Sequence, residues 1–318
     1  MTTPVVEWIR QNPNMNTASD DILPSIASDA SGNTYVVYTT AGTSSGQTKT
    51  GFNDIVVFKM NPYGGVEWIR QNNVLNTLLP NASAIIDVNV LGDVYITYHT
   101  NDGTASGQSN TGNSVDIIVL KMNTNGVVQW IKQNATMNTI RTDILPDIST
   151  DAYGNVYVSY ETNGGTASGQ SNTGISRDIV VFKMNSSGVV EWVKQNATMN
   201  TSQNDRDTKI TTDASGNIYV TYSTNGSAYG QGNIGNYDIV VFKMNSSGNV
   251  EWVKQNATMN TIQNDNSPNI TTDASGNVYV TYNTIGSVSG QNNIGASDIV
   301  VFKMNSSGDV EWVKQNAT

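Results

Sequence analysis

The sequence predicts an all-β chain of five repeated, four-stranded antiparallel sheets, with an extra copy of the outer strand at each end. Three observations predict it. The six tryptophans, Trp8, Trp68, Trp130, Trp192, Trp252 and Trp312, recur at spacings of 60, 62, 62, 60 and 60 residues. Each period holds four short strand-like runs separated by turn residues. The composition is 37% hydrophobic and only 13% charged, with 28 glycines and much of the remainder Asn, Ser and Thr, which suits strands and turns and starves helices of their strong formers.

The fourth repeat shows the elements most clearly. Lys209-Ile-Thr-Thr-Asp213 is strand A, and Asp213-Ala-Ser-Gly-Asn217 turns the chain, with Gly216 suited to positive φ. Ile218-Tyr-Val-Thr-Tyr222 is strand B, alternating in character as a half-covered strand does. A long polar loop leads to strand C, Asp238-Ile-Val-Val-Phe-Lys-Met244, whose continuous apolar run fits a strand covered on both faces. Asn245-Ser-Ser-Gly248 then turns into strand D, Val250-Glu-Trp-Val-Lys254. The A–B turn recurs at Asp29, Asn89, Asp151, Asp213 and Asp273, and strand C opens at Asp54, Asp116, Asp178, Asp238 and Asp298. The second repeat has drifted most, with Val88-Asn-Val-Leu-Gly-Asp93 at its turn.

A chain of 318 residues would ordinarily suggest two domains, but a repeat that must bury its faces against its neighbours implies one body. Four-stranded sheets apolar on both faces are the blades of a β-propeller, stacked face to face around an axis. The reading is a single five-bladed β-propeller over 1–318. Its terminal outer strand is 5–11, and its repeats lie at about 12–72, 73–134, 135–196, 197–256 and 257–316.

The chain resembles the bacterial-type β-propeller repeats known as SBBP repeats. The resemblance rests on Asp273-Ala-Ser-Gly-Asn-Val-Tyr-Val-Thr281, Asp298-Ile-Val-Val-Phe-Lys-Met-Asn305 and the Gly-x-Val-x-Trp pattern from Gly308 to Trp312, and it covers essentially the whole chain. It implies a scaffold and brings no catalytic motif to carry over. The family's name refers to seven blades, where five are counted here.

Strand D occurs six times, so Val5–Gln11 and Val310–Gln315 compete for the outer position beside strand C of the last blade. One reading is ring closure by one copy, with the other lying on the surface. The other is strand exchange between molecules through Val6, Trp8, Val310 and Trp312.

The net charge of −10, with 16 basic against 26 acidic residues, argues against nucleic acid. No apolar run approaches a membrane span. The chain has no cysteine, so disulfides and thiolate metal sites are excluded, and no cofactor or metal is expected. Met1-Thr-Thr-Pro-Val-Val-Glu-Trp8 shows neither the basic nor the apolar region of a secretion signal. An extracellular or particle-surface setting is nonetheless favoured. Eleven Asn-x-Ser/Thr sequons, among them Asn134, Asn185, Asn196, Asn245, Asn256, Asn305 and Asn316, arise mostly from the repeat and permit glycosylation.

The two blade ends are unequal. The A–B and C–D turns are tight, whereas the B–C and D–A connections are long, so the long-loop face is the expected working surface. It carries Gln47, Gln108, Gln170, Gln231 and Gln291 in the B–C loops, and Asp21, Asp143, Asp205 and Asp265, with Asn81 in the odd repeat, in the D–A loops. Such a ring has the groups to bind sugar hydroxyls with avidity, and equally to satisfy its own loops. Exposed aromatics for sugar stacking are expected only at Phe52, Tyr229 and Tyr237. The Asp opening strand C reads as a loop anchor rather than a calcium ligand, and the tryptophans as packing between blades.

His99 is the sole histidine, there is no nucleophile elbow or phosphate loop, and acids repeated in every blade read as structure. The sequence therefore points to a non-enzymatic structural or interaction scaffold working through the long loops and self-associating through the duplicated outer strand. A lectin-like module with one shallow site per blade is the alternative. The expected partners are another copy, a protein or a glycan.

Overall fold

The computed structural model describes residues 6–11, 13–112, 114–174 and 176–315. It holds five four-stranded antiparallel sheets. Blade 1 is β1 (Asp21–Ser28), β2 (Thr34–Thr40), β3 (Asp54–Met60) and β4 (Val66–Arg70). Blade 2 is β5 (Asn81–Val88), β6 (Val94–Asn101), β7 (Val115–Met122) and β8 (Val128–Lys132). Blade 3 is β9 (Asp143–Thr150), β10 (Val156–Asn163), β11 (Arg177–Met184) and β12 (Val190–Lys194). Blade 4 is β13 (Asp205–Thr212), β14 (Ile218–Thr224), β15 (Asp238–Met244) and β16 (Val250–Lys254). Blade 5 is β17 (Asp265–Thr272), β18 (Val278–Thr284), β19 (Asp298–Met304) and β20 (Val310–Lys314). The chain is an all-β, five-bladed propeller.

Each blade is a simple meander because its A–B and C–D turns are short. In the third, Asp151 Oδ1 accepts the backbone N–H groups of Tyr153 and Asn155, and Oδ2 accepts Asn155 Nδ2 and the Tyr157 hydroxyl at 3.0 Å. One carboxylate thus closes the turn and ties it to strand B, which is the usual work of Asp in such a turn.

Strand A of every blade carries a bulge, as between Ile22 and Ser25. The extra residue sits at positive φ in each: Leu23, Ser83, Leu145, Asp207 and Ser267. None is glycine, so the fold holds five mildly strained residues along its innermost strands.

The core is divided among the blade boundaries. Between blades 3 and 4, Tyr157, Ile179 and Val181 meet Ile218, Val220, Tyr222, Val240, Phe242 and Met244. In blades 1 to 4 the tryptophan of the outer strand reaches across to the next blade, where Trp68 Nε1 donates to Thr124 O, Trp130 to Ser186 O, Trp192 to Ser246 O and Trp252 to Ser306 O. The indole of Trp130 lies so close over Gly188, at φ +77°, that a Cβ there would fall 2.8 Å from the ring. That turn therefore needs glycine on both counts.

The carboxy-terminal copy of strand D, β20, pairs with β19, with Trp312 opposite Lys303. Residues 6–11 make no strand pairing and lie over the C–D turn of blade 1, where Trp8 Nε1 donates to Pro62 O at 3.0 Å. Val5 and Asn12, which belong to the expected terminal strand and its junction, lie outside the described residues. The stack is open. Adjacent blades pack strand A on strand A, and among the described residues blade 5 does not pack on blade 1 in this way. No helix of the described residues is long and apolar enough to cross a membrane.

Candidate functional site

The starts of strands A and C and the ends of strands B and D lie at one end of each blade, so the long B–C and D–A loops form one face. Its loops are built by repeated polar staples. Asp143, buried, accepts Thr139 N and Thr139 Oγ1, whose hydroxyl also meets Thr162 Oγ1 at 3.0 Å. Asp21, Asp205 and Asp265 do the same for Thr17, Thr201 and Thr261. In blade 2, Asn81 takes the position, accepting Thr77 Oγ1 and donating to Asn53 O. Burial pushes the Asp143 and Asp205 carboxyls up to about 7 and that of Asp265 to about 6, against the pull of their threonine bonds.

The half-buried Gln47, Gln108, Gln170, Gln231 and Gln291 each accept the backbone N–H of a second glutamine at the end of strand D: Gln71, Gln133, Gln195, Gln255 and Gln315. The second set, buried throughout, went unweighed in the sequence. Gln195 Oε1 accepts Ala167 N at 2.7 Å, and its Nε2 donates to Gly165 O and Asp178 Oδ2. The strand C aspartates serve as anchors, Asp54 accepting Thr50 N, Gly51 N and Gln71 Nε2. The structure thus places the repeated acids at the first residue of each strand A, instead of in the D–A loops as expected, where they hold the preceding loop's threonine, and leaves the B–C loop glutamines half-buried at the surface.

The face loses its symmetry at the boundary of blades 3 and 4. Glu161, where the other blades have Thr39, His99, Ser223 and Asn283, is buried, and its Oε2 accepts Arg177 Nη1 at 3.0 Å. Its Oε1 accepts the backbone N–H of Asp207 at 2.6 Å. Burial holds the Glu161 carboxyl above the ordinary range, and the Asp207 N–H and Arg177 pull it back in part. Asp207 occupies the strained bulge position at φ +58° and is partly exposed; its Oδ2 accepts Ser223 Oγ at 3.1 Å and lies 3.7 Å from Arg206 Nε. Arg206 stacks over Tyr237, 3.8 Å from the ring centroid. Tyr237 is therefore half-buried beneath a guanidinium instead of standing free as expected. Lower on the same boundary Asp147, buried, accepts Ile210 N and lies 3.8 Å from Lys209 Nζ. The residue in blade 2 that corresponds to Glu161 is His99, whose burial lowers its pKa to about 4, so it is neutral at pH 7.

At the same blade boundary, lined by none of these charged groups, a groove of about 540 Å³ runs between the B–C loops of blades 3 and 4 and the loop joining them. Asn172, Thr173, Thr201, Tyr229 and Gln231 line it. Tyr229, 66% exposed, stands where the other blades carry Ser45, Ser106, Ser168 and Ser289. Phe52, on blade 1, is also exposed. The signal for this site in the sequence is the departure of these positions from the repeat, not the positions that repeat.

No family model matches the chain, and no curated protein matches it. Solved structures match over nearly its full length. A Dyadobacter fermentans protein of unknown function matches at a TM-score of 0.52 and 9% identity, covering 93% of each chain. A sialidase, described as Hadza microbial sialidase Hz136, matches at 0.52 and 11%, over 94% of this chain and 59% of its own. A polysaccharide lyase of family PL25, an ulvan lyase, matches at 0.53 and 14%, over 93% of this chain and 69% of its own. At these identities the likeness is one of fold.

These neighbours correct the expectation of a non-enzymatic scaffold, with a lectin as its alternative. Those neighbours that are named for an activity are enzymes, a sialidase and a polysaccharide lyase. The repeated acids are structural, whereas Glu161 and Asp207 stand outside that repeated set and occupy dissimilar environments, one buried and one partly exposed.

Proposed function

We propose that the protein is a carbohydrate-active propeller that cleaves an acidic polysaccharide on its long-loop face, at the boundary of blades 3 and 4. The observation that carries this reading is the unrepeated group of Glu161, Arg177 and Asp207, set at the same boundary as the groove that Tyr229 borders, with Arg206 next to Asp207 and bonded to Asn266 of blade 5. Two partly exposed guanidiniums on an otherwise acidic chain suit the carboxylate or sulfate of an anionic sugar. Asp207 is the reachable carboxylate and takes the role of proton-transfer group. Glu161, buried, is a positioning residue, since it holds Arg177 by its side chain and Asp207 by its backbone. Tyr229 offers a face on which a sugar ring stacks, and Gln231 a side-chain amide for its hydroxyls. The lyase neighbour is described bound to a -[GlcA(1-4)Rha3S]- repeat, which is such an anionic chain. The repeats themselves we read as SBBP-type, on the Asp-Ile-Val-Val-Phe-Lys-Met and Gly-x-Val-x-Trp runs.

The test is incubation of the purified chain with a panel of neutral and acidic polysaccharides. New reducing ends report any cleavage, and ultraviolet absorbance of an unsaturated product separates elimination from hydrolysis. Turnover is expected on acidic chains, with Asp207→Asn lowering kcat by about 10²–10⁴-fold while the thermal melt is kept. Arg177→Ala and Arg206→Ala are expected to raise KM above all. Failure to cleave any member of the panel, or an Asp207→Asn variant as active as the parent, overturns the proposal.

A further inference from the structure

The outward sheet face of blade 5 is uncovered, and that of blade 1 is open at its inner strand while Trp8 and Met15 cover Tyr38, Val56, Phe58 and Met60; each is the counterpart of a face that is covered elsewhere in the same chain. On blade 5, Ile299 is 59% exposed, whereas Ile55, Ile117, Ile179 and Ile239 in the same register are 0% exposed. Val301 beside it is also exposed, and a hollow of about 470 Å³ lies over Thr271, Tyr279, Thr281 and Val301. On the opposite side of the stack, Ile26 of blade 1 is 69% exposed, while Ile86, Ile148, Ile210 and Ile270 are at most 8% exposed. Within the chain these two kinds of face are partners: Tyr219, Ile239 and Val241 of blade 4 pack on Ile270, Val278, Val280 and Phe302 of blade 5.

We propose that a second copy of this chain docks head to tail, its blade 1 on the open face of blade 5, continuing the contact that joins the blades internally. The occupant follows from the surface itself. The blade 5 face has the apolar residues, in the register, that blades 1 to 4 present to their successors. The blade 1 face has the isoleucine that the later blades present to their predecessors. Because the two surfaces differ, the contact is heterologous and leaves a free face at each end, so assembly proceeds past the dimer. In the structure the chain leaves Ile26 and Ile299 open and covers the rest of the blade 1 face only with its own segment around Trp8 and Met15. The segment at residues 6–11 holds part of the docking ground. Trp8 and Arg10 bond Pro62 O and Gly64 O as Trp68 and Arg70 bond Thr124 O and Gly126 O in the next blade. Trp312 of an incoming blade 5 would need that same position, so the segment yields on docking and opposes it until then.

The experiment is light scattering coupled to size exclusion over a concentration series of the full chain and two single variants, Ile299→Glu and Ile26→Glu. Both residues are exposed, so both variants are expected to fold. The parent is expected to grow from monomer to dimer and beyond. Each variant is expected to associate at least about 100-fold more weakly, because a glutamate would be buried unpaired. An equimolar mixture of the two retains one intact face on each chain and is expected to stop at a dimer. Trp8→Ala is expected to move association to lower concentration. A parent monomeric at every concentration, a variant that associates as the parent does, a mixture that stays monomeric, or weaker association in Trp8→Ala would each overturn the proposal.

Discussion

At the scale of single residues, the long-loop face is built on carboxylates that are buried to hold threonines. The pKa of Asp205 is raised above its unfolded value of 3.8 to about 7, by burial first, and Asp143 behaves alike. A carboxyl raised on folding binds its proton more tightly when folded. The folded state is therefore favoured at low pH, and that advantage is lost as pH rises from about 4 to about 7. Asp29 and Asp273, whose carboxyls are lowered on folding, act below that window; His99, lowered on folding from 6.5 to about 4, opposes the fall up to about pH 6.5 but is outnumbered by the raised carboxyls of Asp143, Asp205 and Asp265. Even with half of the shift relaxed by water, Asp205 alone accounts for about 2 kcal/mol across the window. Stability from urea denaturation is expected to fall between pH 5 and pH 8, and Asp205→Asn to flatten its share of the slope. The amide is tolerable there, because Asn81 already fills the position in blade 2. A slope unchanged in Asp205→Asn would mean that this carboxyl titrates normally.

At the scale of elements, what joins a blade's outer strand to its loop is a single glutamine. Gln195 spends both its oxygen and its nitrogen on Ala167 N and Gly165 O, on the loop leading from β10 to β11, and on Asp178 Oδ2, at the start of β11. Gln195→Ala leaves buried groups without partners and is expected to cost about 3 kcal/mol in denaturant unfolding. Gln170→Ala, at a half-buried side chain that mainly accepts one N–H, is expected to cost about 1 kcal/mol. Equal costs would mean that the two glutamines share the load. The strands themselves were legible in the sequence, because Tyr219, Phe242 and Trp252 sit in runs whose alternation and turns are local properties. The Gln195 staple was not, since it joins residues 17 to 30 positions apart and nothing in Lys-Gln-Asn sets it apart from other polar ends. The charged group at Glu161 and Asp207 was legible only as a departure from the repeat. Its meaning needed the bulge that brings Asp207 N onto Glu161.

At the scale of the whole molecule, a repeat stack is stabilised by nearest-neighbour boundaries, so the same residue is worth different amounts in different blades. The sequence could not reveal the open end, because the segment Asp-Ile-Val-Val-Phe-Lys-Met is the same in blades 4 and 5, and closure depends on the accumulated angle between blades. Ile239 and Ile299 share that segment and are 0% and 59% exposed. Ile239→Ala removes a methyl-rich side chain from a packed boundary and is expected to cost about 2–5 kcal/mol. Ile299→Ala, measured at dilution where chains are apart, is expected to cost under about 1 kcal/mol. The comparison is internal to one chain and one substitution, so propensity and unfolded-state effects cancel. Denaturant midpoints of the two variants, taken at the same low concentration, decide the matter. If Ile299→Ala costs as much as Ile239→Ala, the last blade is covered by its own chain in solution and the ring is shut. If it costs little, the stack is open, and the Ile299 face is accessible to a partner.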